Sequence, residues 1–437
     1  MNYHFIGIGG IGMSGLARIL LQKGHAVSGS DLGRTPLIAE LESLGATIYP
    51  THDAANITEP CTVVYSSSIS ETNPEICAAK EWHCPLYHRS VLLAELVNSN
   101  QGLVVAGTHG KTTTSALLAA TLIDAACDPT WVVGGIVAPY GKNSSGGVGP
   151  HVVAEGDESD GTLVQYQPHA AIVTNIGLDH LDHYKTEDNL LNTFQTFIHQ
   201  VKGEVFWCGD DQRLKSLTPP GTSYGFNANN TLRIAHIRPS GWQTQFDLIT
   251  HQKTYSNIIL NMIGEHNVLN AAAVFGLALS LNISESSIRH TFATFQGVGR
   301  RQEHIPYRDG VTLLDDYAHH PTEILATLRA VRQAIGERKL IALYQPHRYS
   351  RMETLLGTLS TCFSSADEVI VTEIFAAGEQ PRPGVTSEKV YQEIAQTHPC
   401  CSYVPRNELL TALKLHDGDC LITLGAGDIT KVCRNLP

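Results

Sequence analysis

At 437 residues and 42% hydrophobic content, the chain is too long for one ordinary domain and has apolar surface for two or three cores. Only 16% of residues are charged, the formal net charge is −12 and no basic stripe appears, which excludes a general nucleic-acid binder but not a local anion site. Ten cysteines without a CxxC pair read as reduced thiols. There is also no basic leader and no apolar run near the ~20 residues of a membrane span, so the expectation is a soluble, cytoplasmic protein without membrane contact.

Residues 1–100 read as the first unit. A strand over Tyr3 to Ile8 runs into Gly7-Ile8-Gly9-Gly10-Ile11-Gly12, the GxGxxG spacing, and a helix follows through Met13 and Ser14. A second strand ends at Asp31, about twenty residues past the glycines, as in a dinucleotide site. The pattern asks for a diphosphate at a helix N-terminus and a sugar or base near Asp31, which NAD and UDP satisfy equally. Ser66, Ser67 and Ser68 follow the strand at Thr62 to Tyr65, where open α/β sheets bind ligands; helix capping is the equal alternative. Arg89 is either a phosphate partner or an ordinary surface arginine.

Residues 101–296 read as the second unit, built on LVVAGTHGKTTT from Leu103 to Thr114. A buried strand, the loop Gly107-Thr108-His109-Gly110-Lys111-Thr112 and a helix from Thr113 form the arrangement that cradles phosphates. Lys111 can reach outer phosphates, and Thr112 a phosphate-bound Mg²⁺. The loop is a shortened one, because Val105 stands six residues before Lys111 where the usual pattern has glycine. Further on, a strand ends at Glu155 within Glu155-Gly156-Asp157-Glu158-Ser159-Asp160, an acid cluster whose alternative is a solvated turn. Another strand, Ala170 to Asn175, leads to Asp179, His180, Asp182 and His183. Parallel strand ends converge, so Glu155 and His180 should lie near the phosphate loop. Those four residues alone suggest zinc or manganese; the phosphate loop favours Mg²⁺. Short strands follow over about 204–262 without recognisable chemistry. His266, Asn267 and Asn270 open a helix on neighbouring turns, suited to a purine edge or to capping.

Residues 297–437 read as the third unit, again α/β. Arg300 and Arg301 precede a strand over Val311 to Leu314, and Asp315, Asp316, His319 and His320 follow it. A strand over Leu340 to Tyr344 ends in Gln345-Pro346-His347-Arg348-Tyr349-Ser350-Arg351. If a helix starts there, Arg348 and Arg351 share a face and can clamp a carboxylate or phosphate.

In this order GIGGIGMSG, GTHGKTTT, EGDESDG, TNIGLDHLDHY, GEHNVLNAAA, GVGRRQE, DDYAHHPTEI, QPHRYSR and LGAGDI span nearly the whole chain, and together they resemble the Mur ligase family. The opening GIGGIGMSG favours the branch that adds L-alanine. The resemblance implies three α/β domains: a Rossmann-like UDP-sugar domain, a P-loop-type ATPase domain with a parallel sheet, and a Rossmann-like C-terminal domain that binds the amino acid. It implies UDP-N-acetylmuramate and L-alanine as substrates, ATP and Mg²⁺ as cofactors, and a monomer or weak homodimer. Gly9, Gly10, Gly12, Met13, Ser14, Asp31, Ser66, Ser67 and Arg89 then fall to the UDP-sugar. Gly107 through Thr113, with Asn267, Asn270, Arg301 and Asp316, fall to ATP. Thr112, Glu155 and His180 match the metal ligands, and His319, Arg348 and Arg351 the amino-acid site. Two departures stand out: Gly156 replaces an expected alanine and adds a flexible position, and Gln195 stands where relatives carry a modified lysine.

The implied reaction starts with attack of the lactyl carboxylate on the γ-phosphate, with Lys111 and Mg²⁺ stabilising the charge. The amine of L-alanine then attacks the acyl phosphate, with His180 or His319 as base. Closure of the third domain is expected to exclude water. The alternatives are a relative that attaches a preformed peptide, and a nucleotide-binding sensor without catalysis.

Overall fold

A computed structural model describes residues 1–58, 60–159, 161–179 and 181–436, without the side chains of residues 181 and 182. These residues form three sheets. The first sheet has β1 (Asn2–Ile6), β2 (Ala26–Ser30), β3 (Thr47–Tyr49), β4 (Thr62–Tyr65) and β5 (Leu86–His88), in the order β3-β2-β1-β4-β5. Every pairing in it is parallel. The order reverses between β1 and β4, which opens a ligand crevice at their C-terminal ends. The GxGxxG loop follows β1 and the three serines follow β4. β1 stops at Ile6, two residues before the expected end, because Gly7 turns with φ +77°.

The second sheet contains β6 (Gln101–Ala106), β7 (Thr130–Val137), β8 (Lys142–Ser145), β9 (His151–Gly156), β10 (Ala170–Val173), β11 (Val205–Cys208), β12 (Thr222–Gly225), β13 (Leu232–Ser240), β14 (Gln243–Ile249) and β15 (Thr254–Leu260). Its order is β15-β14-β13-β12-β11-β10-β6-β9-β7-β8. Leu103, Val104, Val105 and Ala106 of β6 are buried, as expected for a central parallel strand covered on both faces. β6 lies between β10 and β9, all parallel, with Ala106 level with Val173 and Gly156. That register brings the phosphate loop, Glu155 and Thr174 to one edge. The helix after the loop spans Lys111–Asp124 and so starts two residues earlier than expected.

The third sheet has β16 (Glu303–Ile305), β17 (Thr312–Asp316), β18 (Leu340–Tyr344), β19 (Glu368–Val371), β20 (Cys401–Tyr403) and β21 (Cys420–Leu424), in the order β16-β17-β21-β18-β19-β20. It is parallel except for β16. Apolar clusters pack on both of its faces, one around Leu328, Tyr344 and Phe363, the other around Leu343, Leu421 and Ile429. The chain divides into two compact units: Met1–Ala235, Asp247–Ile258 and Leu269–Phe295 form one, and His236–Phe246, Ile259–Val268 and Gln296–Pro437 the other. Among the described residues, no helix is long and apolar enough to cross a membrane.

Within the first unit, Arg18 joins the first two sheets. It lies on helix Ile11–Gln22 and is fully buried. Its guanidinium donates to both oxygens of Glu40, at 3.1 and 2.6 Å, and to Asn143 Oδ1 and Ser144 Oγ on β8, at 2.8 and 2.6 Å. Asn143 in turn donates to the Ile11 carbonyl. The charged fork is therefore matched by polar partners on both sides, and the start of the helix is tied to the second sheet. Arg18→Met orphans the buried Asn143 and Ser144 groups, with an expected loss of about 3 kcal/mol in urea unfolding; an unmoved midpoint would remove this bracket.

Candidate active site

The first glycine loop is held by the end of β2. The Ser30 carbonyl accepts from Gly7 and Ile8 N–H at 2.8 and 3.0 Å. Asp31 Oδ2 accepts from Gly9 N–H at 2.8 Å, and Oδ1 from Gly33 N–H at 2.9 Å. Asp31 thus shapes the loop as well as lying beside it. Gly10 precedes helix Ile11–Gln22, whose first-turn N–H groups have no acceptor within the helix, the condition an anion site at a helix start requires. Met13 and Ser14 are buried, and the Ser14 N–H donates to the Gly10 carbonyl at 2.8 Å, so neither side chain faces the space before the loop and Ser14 has no free main-chain donor there. The helix after the serines, Pro74–Glu81, is capped by Asn73, so Ser66, Ser67 and Ser68 do not cap it. Ser67 instead meets His88 Nε2 at 3.0 Å. Arg89 bridges the first two sheets: it lies 3.2 Å from Asp157, and a Cβ on Gly12 would sit 3.4 Å from its Nη1.

The phosphate loop is pinned by β10. Asn175 accepts from Thr108 N–H through its carbonyl and from His109 N–H through its side chain, at 3.0 and 2.9 Å. Thr174 Oγ1 donates to the His109 carbonyl at 2.7 Å. Gly107 has φ +133°, and a Cβ there would stand 2.1 Å from Thr174 Oγ1. Gly110 has φ +86°, with Asn270 Oδ1 2.8 Å from the position of its missing Cβ. Both positions exclude a side chain. Thr113 is buried.

Lys111 folds back over this loop. Its ammonium donates to the carbonyls of Gly107 and Thr108 and to Glu158 Oε2 at 2.7 Å. Burial opposes that charge, but the Glu158 carboxylate outweighs it and holds the lysine pKa above its ordinary value. Glu158 is only 1% exposed, so at this position the acid cluster is not a solvated turn. Burial works against the Asp157 carboxylate, but Ser159, through its hydroxyl and its N–H, holds it below the usual carboxylate range, with Lys111 and Arg89 acting in the same direction. Asp160 and His180 lie outside the described residues, as does the side chain of Asp182.

Thr112 Oγ1 donates to Glu155 Oε2 at 3.2 Å; Ser115 Oγ and Gly134 N–H donate to Glu155 Oε1 at 3.2 and 2.5 Å. A Cβ on Gly134 would come within 2.9 Å of Glu155 Oε2 and 3.1 Å of Thr112 Oγ1, so this glycine keeps the space before both oxygens clear. A hydroxyl and a carboxylate beside a phosphate loop are hard oxygen donors that fit Mg²⁺. Among the described residues no group of three His, Cys, Asp or Glu side chains is placed to hold a metal. Gly156 corrects an expectation. It lies inside β9, and a Cβ there would meet Leu163 at 2.7 Å and Val104 at 2.9 Å, so the residue serves tight packing and not flexibility. Gln195 is exposed on helix Glu187–Gln200.

Asn270 belongs to the first unit and Asn267 to the second. In the second unit, Asn267 Nδ2 donates to the Ile263 carbonyl at 2.9 Å. Asp316 ends β17 and accepts from Gln302 and Ala318 N–H at 2.8 and 2.7 Å. Burial pushes its carboxyl up to about 6 despite Arg301. The guanidinium groups of Arg300 and Arg301 both lie over the Tyr317 ring, at 5.1 and 4.9 Å. His319 Nδ1–H donates to the Tyr317 carbonyl at 3.0 Å, which leaves Nε2 as its acceptor nitrogen. Burial holds its pKa down at about 4, with Arg351 and Arg301 acting in the same direction against Glu323.

Sequence reasoning gave His347 no role, yet it joins this group. Its ring lies 5.9 Å from that of His319, stacks on Phe375 at 5.8 Å, and accepts at Nδ1 from Arg351 at 3.1 Å. Burial and Arg351 push it down to about 3. The shared helical face expected for Arg348 and Arg351 is not formed. Helix Tyr349–Leu355 begins after Arg348, which has φ +64° and points its Nε to within 3.9 Å of Glu379. Glu158, Ser115, Gly134 and His347 were missed as site residues. Only Glu158 and His347 carried a signal, as chemical side chains inside motifs already singled out.

Three family models match the chain in order: Mur ligase family, catalytic domain, over residues 2–101; Mur ligase middle domain over 105–278; and Mur ligase, glutamate ligase domain over 300–427. The chain is 50% identical to the UDP-N-acetylmuramate--L-alanine ligase of Protochlamydia amoebophila, covering 99% of this chain and 96% of that one. It is similar to the crystal structure of UDP-N-acetylmuramate-alanine ligase MurC from Thermotoga maritima, with a TM-score of 0.88, 28% identity, and 100% and 98% of the two chains covered. A murein peptide ligase from Psychrobacter arcticus shares the fold at a TM-score of 0.72 and 24% identity, over 100% of this chain and 98% of that one. With all three models matched from residue 2 to residue 427, and half of its residues shared with a full-length relative, the chain belongs to the Mur ligase family.

Proposed function

We propose that this chain joins L-alanine to the lactyl carboxylate of UDP-N-acetylmuramate at the expense of ATP, in peptidoglycan precursor synthesis. The observation that carries the proposal is the set of Lys111, Thr112 and Glu155 at the shared edge of β6 and β9, a site for a nucleoside triphosphate. The identity to relatives of that name across their full length supports the choice of substrates. The proposal includes a cytoplasmic location and a monomer or weak homodimer.

The lactyl carboxylate oxygen attacks the γ-phosphorus and ADP leaves, giving an acyl phosphate. Lys111, released from Glu158 by the incoming phosphates, faces the charge that develops on the transferred group. Thr112 and Glu155 would hold Mg²⁺, with His180 as a further candidate ligand, and the ion would neutralise phosphate charge. The alanine nitrogen attacks the acyl carbon, a proton passes to a base, and phosphate leaves. Arg351 and Arg348 offer charge to the amino-acid carboxylate. A pKa of about 4 makes His319 a weak base at neutral pH, better suited to accepting a hydrogen bond from the amine than to keeping its proton.

The deciding experiment is phosphate release from ATP with Mg²⁺ and UDP-N-acetylmuramate, with L-alanine, glycine, L-serine or a murein tripeptide. Release that requires both the sugar nucleotide and L-alanine supports the proposal. Release with tripeptide alone moves the chain to peptide attachment, and no release with any pair leaves a nucleotide sensor.

Lys111→Ala should lower kcat by about a hundredfold or more while UDP-sugar binding persists; wild-type turnover would sink the loop assignment. Arg351→Ala should raise the KM for L-alanine by about thirtyfold, from loss of a charge-assisted bond of roughly 2 kcal/mol, and leave that for ATP in place; an unchanged KM removes Arg351 from that role. The second unit should also lose stability in mild acid. His266, His319 and His347 fall from 6.5 to about 4, 4 and 3, so below pH 6.5 they bind protons in the unfolded chain first. Asp316, raised from 3.8 to about 6, offsets one of them. The net expectation is a loss of at most about 3 kcal/mol per pH unit as pH falls from 6 towards 4. Some solvent contact at the three imidazoles reduces it. Thermal unfolding at pH 7 and pH 5 measures it, and equal midpoints would refute it.

A further inference from the structure

Beneath the first sheet lies a buried polar cluster that the reaction above does not use. Glu75, in the first turn of helix Pro74–Glu81, has no exposed surface, and His4 on β1 and Ser30 at the end of β2 are as deeply buried. Glu75 Oε2 accepts from Ser30 Oγ at 2.6 Å and from His52 Nδ1 at 3.1 Å. Its Oε1 accepts from Asn56 Nδ2 at 2.7 Å and from His4 Nε2 at 3.2 Å. Ser30 Oγ and His52 Nδ1 are 2.7 Å apart, and His4 Nδ1 lies 2.9 Å from Ser28 Oγ. Burial works against this carboxylate, yet the donors around it hold its pKa below the ordinary value. A buried ion so fully bonded adds little net stability over a well-packed apolar core, so what it chiefly supplies is a fixed position.

What it fixes is the end of β2. Ser30 carries on its carbonyl the N–H groups of Gly7 and Ile8, and the next residue, Asp31, holds that of Gly9. We propose that Glu75 is a positioning residue for the sugar nucleotide: through Ser30 it locks the end of β2, and β2 sets the glycine loop that opens helix Ile11–Gln22. Glu75 touches neither substrate nor reacting atoms. The inference rests on the reading of the first sheet as the UDP-sugar site.

The test is a set of KM values for UDP-N-acetylmuramate, ATP and L-alanine in the full-length Glu75→Gln and Ser30→Ala variants. Glu75→Gln sets an amide N–H against donors; Ser30→Ala removes the direct bond from Glu75 to the end of β2, together with the contact of that hydroxyl with His52, and leaves the other donors to Glu75 in place. The KM for the sugar nucleotide should rise about tenfold in the first and about threefold in the second, while the other two KM values and the saturating kcat stay within about twofold. A merely structural role would lower the melting temperature and leave the KM values unmoved, or raise all three together; either result overturns the proposal. If Glu75→Gln yields no folded protein, Ser30→Ala decides on the same split. A wild type that does not turn over this sugar nucleotide overturns the underlying reading and the inference with it. An active wild type with an unmoved KM in the variants overturns the inference alone.

Discussion

A lysine ammonium set among main-chain carbonyls and away from bulk water must find a counter-charge, and in this chain Glu158 supplies it. The neighbourhood of the phosphate loop follows from that requirement. Lys111 stays charged because Glu158 lies beside it, and Glu158 tolerates burial because Lys111 lies beside it. Together they hold the loop in a compact resting form. Triphosphate oxygens present the same kind of partner, several acceptors carrying negative charge, so under the proposed function nucleotide binding would exchange one counter-ion for another and not create a buried charge from nothing.

The three sheets repeat one solution. In each, parallel strands end side by side, and the candidate site residues sit at or just past those ends: the glycine loop and serines after β1 and β4, the phosphate loop and Glu155 at β6 and β9, Asp316 at β17. Parallel register makes this automatic, since strands that start level and run the same way present their last residues together. The chain can therefore collect ligands from segments fifty residues apart without long loops.

This also sets what could be read from the residues alone. The phosphate loop was legible because glycine, lysine and threonine act at fixed local offsets, and strand ends were legible because apolar runs stop there. Arg18 was not, since its partners are Glu40, Asn143 and Ser144, and nothing local marks an arginine as internal. Met13 and Ser14 sit inside a recognised motif, yet spacing does not say that their side chains face inward. The pairing of Arg348 with Arg351 failed because it assumed a helix start one residue too early, where the chain instead takes a positive φ. Gly156 was read as flexible because glycine usually is; only its neighbours Leu163 and Val104 reveal a packing position.

The two glycine loops make the same use of a neighbouring strand. At Gly7 to Gly9 the loop's N–H groups are taken by Ser30 and Asp31 at the end of β2; at Thr108 and His109 they are taken by Asn175 past the end of β10. Neither loop therefore spends those N–H groups on a ligand. Their role is to fix the direction in which the following helix begins, and the donors left for an anion are those of its first turn, after Gly10 in one case and Gly110 in the other. The glycines are needed less for what they bind than for how closely they let β2 and β10 approach, as Gly107 shows where a Cβ would collide with Thr174. The geometry of each loop thus depends on residues outside it, and under the proposed function phosphate affinity would depend on the strand that holds each loop as much as on the loop itself.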